Sequence, residues 1–126
     1  YSPSMYENIR QAVLVSRLLE TGVNAQLPPE ERGGLGKGTR LSLVESFWLA
    51  TAGGAEALGL PLATFEPGRA FDLQVIDVKR PDSDLTGFGV FDEPIDRLAR
   101  ILYLSTPDNV RQVFSQGVLV RDKDAR

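Results

Sequence analysis

The hydrophobic period of this chain changes near Pro61, and that change limits what it can fold into. Before Pro61 the apolar residues recur at helical spacing; after it they alternate as in strands. Ser4-Met5-Tyr6-Glu7 has the pattern of a capping box, in which each side chain serves the other residue's backbone N–H. Met5, Ile9, Ala12, Val13 and Ser16 then mark one helical face. Leu14, Val15, Leu18 and Leu19 widen it enough to want cover on more than one side. Gly22 is placed to close this helix as a left-handed cap. Ser42-Leu43-Val44-Glu45 repeats the capping pattern and opens a second helix, expected to end near Gly53-Gly54. Phe47 and Trp48 on it are read as core anchors, with ligand stacking by Trp48 the weaker reading. A helical turn over residues 55–58 stops at Gly59.

Beyond Pro61, Glu66-Pro67-Gly68-Arg69 has Pro and Gly in the central places of a type II turn. Residues 71–78 read as a strand, with Phe71, Leu73 and Val75 alternating with Asp72 and Gln74. Ile76 and Val78 make its second half apolar on both faces. Asp92, Glu93 and Pro94 suit the start of a helix carrying Ile95, Leu98, Ala99 and Leu102. Residues 110–114 and 118–120 form a hairpin through Ser115-Gln116-Gly117, and the charged tail at 121–126 is expected to fray. So few strands cannot cover themselves, and such a sheet exposes its edges unless something pairs with it.

Composition then excludes chemistry. The chain has no His and no Cys. It therefore lacks an imidazole base, a thiol nucleophile and the usual ligands of zinc. A net charge of −3 with no basic patch disfavours nucleic acid, and no apolar run is long enough to span a membrane. The absence of Cys suits a cytoplasmic protein. Gly34-Leu35-Gly36-Lys37-Gly38-Thr39 invites a phosphate-loop reading, but Gly38 separates Lys37 from Thr39 and no strand precedes it. Residues 23–40 read instead as a flexible surface insertion rich in Gly and Pro. Asp72, Asp77, Asp82, Asp84 and Asp92 sit on strands or turns and are read as solvated or turn-capping groups.

Four segments together resemble the C-terminal part of the guanine deaminases, a family of the amidohydrolase superfamily. Tyr1-Ser2-Pro3-Ser4-Met5 with the run from Ile9 to Ser16 is similar to the helix after the last barrel strand. Leu49-Ala50-Thr51-Ala52-Gly53-Gly54-Ala55-Glu56-Ala57-Leu58-Gly59-Leu60 is similar to a signature shared across the superfamily. Phe65-Glu66-Pro67-Gly68-Arg69-Ala70-Phe71-Asp72-Leu73 resembles the family's turn into a late strand. Ile101-Leu102-Tyr103-Leu104, Asn109-Val110 and Val113-Phe114 resemble the approach to its final hairpin. The long Gly-rich loop over 33–39 and Ala63, where Gly is common, depart from the pattern.

The resemblance implies an α/β fold: the C-terminal part of a metal-dependent (β/α)8 barrel hydrolase plus part of its small β-sandwich. Residues 1–60 would be the last barrel helices, and 61–126 the C-terminal strands of the composite sandwich with one helix. It implies hydrolysis of guanine to xanthine and ammonia, with zinc held upstream by several His and one Asp. No catalytic, cofactor-binding or metal-binding residue maps onto this chain, which is expected to be inactive and zinc-free by itself. Its implied partners are the N-terminal remainder of the protein, guanine as the parent's substrate and a second subunit of a homodimer. Another aminohydrolase of the superfamily, or a stand-alone interaction domain that pairs edge strands with a partner, remain the other readings.

Overall fold

The computed structural model describes residues 4–21, 28, 31, 38–85 and 92–125. The chain forms two compact units, Tyr1–Ala50 and Thr51–Arg126.

The described residues of the first unit include two α-helices, α1 (Met5–Thr21) and α2 (Leu43–Ala50). The start of α1 follows Ser4 as its sequence suggests, and the Ser4 carbonyl accepts the Asn8 N–H at 3.1 Å. The capping box of α2 is complete: Ser42 N–H donates to Glu45 Oε2 at 2.7 Å, and Glu45 N–H to Ser42 Oγ at 3.2 Å. Gly22 and most of the loop over 23–40 lie outside the described residues. Ile9, Val13 and Ser16 form the buried face of α1. Two serines fasten it. Ser46 Oγ donates to the Ile9 carbonyl at 3.0 Å, and Ser16 Oγ donates to the Val13 carbonyl at 2.8 Å while accepting the Leu41 N–H at 3.0 Å.

This fastening corrects two expectations. A serine that bonds across to the backbone of α1 brings the helices close, so the buried face of α2 is carried by Ser46 and not by an aromatic ring. Trp48, two residues and about 200° around the helix from Ser46, is left 48% exposed and is no core anchor here. The broad stripe of α1 is also covered on one side only, with Leu14, Val15, Leu18 and Leu19 exposed. A partner helix of 8 residues cannot cover more.

The second unit opens with α3 (Ala52–Ala57), so the helical run breaks at Thr51, whose φ of −126° and ψ of −99° leave the helical region, and not at Gly53-Gly54. Intrinsic propensity points to the glycines, at about 1 kcal/mol each relative to Ala. The chain instead absorbs both inside α3 and ends it at Gly59, as expected, with φ of +65°. Gly59 N–H bonds the Glu56 carbonyl and Leu60 N–H the Ala55 carbonyl, the two bonds of a Schellman cap. The Glu66–Arg69 turn closes at 3.1 Å with Gly68 at φ of +90°.

Three strands follow: β1 (Leu73–Ile76), β2 (Val110–Ser115) and β3 (Val118–Asp122), antiparallel in the order β1-β2-β3. A helix, α4 (Pro94–Leu104), and a single 3-10 turn at Pro107–Asn109 lie between β1 and β2. Glu93 and Asp96 form the capping box of α4, with Pro94 at its first position. Leu102 is its most buried residue. The hairpin turns on Gln116-Gly117, both with positive φ, which matches a tight two-residue connection.

β1 is shorter than its apolar pattern. Its first residues are drawn out of the ladder because Asp72 uses its side chain to accept the Gln116 N–H at 2.6 Å. A bulge between Val75 and Ile76 shifts its register, and the Asp77 side chain then turns the backbone by accepting the Lys79 N–H. The tail does not fray as expected through Asp124. Lys123 N–H extends the ladder to the Arg111 carbonyl, its ammonium reaches Asp108, and Asp124 pairs with Arg111. A tail whose Lys123 and Asp124 meet partners is held there, whatever its composition suggests.

Candidate functional site

The polar clusters of the second unit, among the described residues, hold backbone groups or form ion pairs. Asn109 is the most connected. It is 2% exposed, at the corner between α4 and β2. Its Oδ1 accepts from Thr106 N–H at 2.9 Å and Thr106 Oγ1 at 3.1 Å. Its Nδ2 donates to the Asp77 carbonyl at 3.2 Å and to Ser83 Oγ at 2.7 Å. Its backbone carbonyl accepts the Asp77 N–H at 2.8 Å. The amide orientation follows from chemistry, since a backbone N–H must meet the oxygen and a backbone carbonyl the NH₂. The side chain thus ties the end of β1, the loop through Ser83 and the start of β2 together.

The carboxylates read from sequence as turn-capping groups divide. Asp72 and Asp77 cap backbone N–H groups, as noted. Asp92 makes a two-pronged ion pair with Arg100, at 2.8 and 2.9 Å, which raises the guanidinium pKa further through the hydrogen bonds it donates. Asp82 and Asp84 lie in exposed turns, as expected. Two acids missed by the sequence reading, Asp108 and Asp122, and Glu45 of the expected capping box carry the clearest electrostatics. Lys123, by hydrogen bond and charge, and Arg80 behind it hold the Asp108 carboxyl below its usual range. The Asp124 backbone N–H, then Gln112, do the same for Asp122. The Ser42 backbone N–H lowers Glu45. Their partners lie many residues away or on backbone, so composition gave no sign of them.

A general acid or base needs a proton-transferring group aimed into a space a substrate can enter. These groups are instead bonded to the protein itself. Among the described residues no three acidic side chains converge as metal ligands. With no His or Cys in the chain, its donors do not fit a zinc ion. The residues of the rejected phosphate-loop reading lie mostly outside the described residues, apart from Gly38 and Thr39. Among the described residues no helix is long and apolar enough to cross a membrane.

What stands out is uncovered apolar surface. Phe65 is 80% exposed and stacks in a tilted contact on Phe71, which meets Phe114 edge-on, with ring centroids 6.1 and 6.0 Å apart. Val118 and Val120 on the edge strand β3 are 63% and 60% exposed. Among the described residues β1 and β3 each pair on one side only, and such an edge accepts further strands.

The chain is 36% identical to the human and the Sumatran orangutan (Pongo abelii) guanine deaminases over 125 residues, and 37% identical to the mouse one over 123. Each match takes in 93% of this chain but 24% of the relative, so the chain spans about a quarter of the length of the curated relatives it matches. The match to the amidohydrolase family covers residues 1–120, and the chain belongs to that family.

Proposed function

We propose that the protein carrying this sequence is a zinc-dependent guanine deaminase, which uses one water to convert guanine to xanthine and ammonia in purine catabolism. In this reading residues 1–60 are the last helices of a (β/α)8 barrel, and residues 61–126 supply strands and one helix to a small β-sandwich. The zinc ligands and the proton-transferring groups lie in sequence outside these 126 residues. This chain's part is structural: it closes the barrel and braces the sandwich. The observation that carries the reading is the 36–37% identity to mammalian guanine deaminases across 93% of the chain.

Two features support the assignment of roles. The chain lacks the ligand chemistry of zinc, and its acids hold backbone or cations. The exposed apolar residues of α1 and the open edges of β1 and β3 suit burial against the N-terminal remainder of the same protein. A cytoplasmic homodimer that engages neither nucleic acid nor membrane completes the reading.

The test is xanthine formation from guanine, with zinc content measured on the same samples, for this chain and for the protein with its upstream sequence. The longer protein should bind zinc and turn over guanine in preference to cytosine or chlorotriazines; this chain should do neither. Turnover by this chain above a zinc-only blank would place the chemistry inside it. Preference of the longer protein for cytosine or a triazine would move the assignment to another aminohydrolase.

A further inference from the structure

No further inference is drawn: the strongest candidate, the apolar surface patch of the Phe65–Phe71–Phe114 rings beside the β2–β3 hairpin, carries nothing because nothing in the structure shows what covers it beyond the remainder of the protein already proposed.

Discussion

Replacing Asn109 by alanine should destabilise the second unit by about 2–3 kcal/mol. The side chain makes four hydrogen bonds. A net value of about 1 kcal/mol each gives roughly 4 kcal/mol as the ceiling. Thr106 is exposed, so its two donors regain water and lower the sum. The Asp77 carbonyl and Ser83 hydroxyl are less accessible and keep more of their penalty. Asn109→Asp separates hydrogen bonding from packing, because it keeps the shape. The new carboxyl still accepts from Thr106, and the Ser83 hydroxyl can rotate to donate to it, but it sets an oxygen against the Asp77 carbonyl. Burial and that carbonyl should raise its folded pKa above the unfolded value of about 3.9. A raised carboxyl contributes stability below the unfolded pKa and loses it as pH rises through the folded one. Relative to wild type, Asn109→Asp should therefore be weak at neutral pH and recover on acidification. Urea unfolding followed by far-UV circular dichroism across pH reads this. Exchange of the Asp77 amide, bonded to the Asn109 carbonyl, reports the local opening. An alanine variant within about 0.5 kcal/mol of wild type, or an aspartate variant whose deficit does not shrink with acid, would refute the keystone role.

Ser42→Ala should cost about 1 kcal/mol, the usual size of a lost N-cap, since Ser42 Oγ accepts the Glu45 N–H. Tryptophan fluorescence from Trp48 on the same helix follows it during denaturation, and an unchanged midpoint would deny the cap. Gly117→Ala should cost about 1–2 kcal/mol: its φ is +79°, where a Cβ is strained although nothing crowds it. A thermal melt unmoved by the substitution would count against the turn geometry. The lowered carboxyls of Glu45, Asp108 and Asp122 contribute stability above their unfolded pKa, and it is lost as pH falls through their folded values. Stability should thus fall below about pH 4, and Asp108→Asn should flatten part of that slope. Equal slopes in wild type and variant would exclude Asp108.

The features legible in the sequence are those fixed by neighbours. The Ser42–Glu45 box, the start of α4 at Pro94 and the turns at Gly68 and Gly117 each need only a few adjacent residues, and each forms where the pattern puts it. What escaped the reading depends on residues far apart. Asn109 looks like an ordinary turn residue until Asp77 and Ser83 arrive beside it, 32 and 26 positions earlier in the chain. The held tail depends on Asp108 and Arg111 in the same way. Trp48 was misjudged because size suggested burial, whereas the hydroxyl of Ser46 decided which side of α2 faces α1. For the site, the missing His and Cys were plain from composition; which acids are bonded, and to what, was not.

The pairing of β1 with β2 also sets a timetable. β2 and β3 are joined by two residues and can form within microseconds of both being present. β1 must wait for Phe114, the partner of Leu73, about 40 residues further along. At ribosomal speeds of roughly 5–20 residues per second, that is about 2–8 s during which Leu73, Gln74, Val75 and Ile76 wait for their β2 partners. The same apolar stretch that later joins the sheet is, for those seconds, without its β2 cover on the nascent chain.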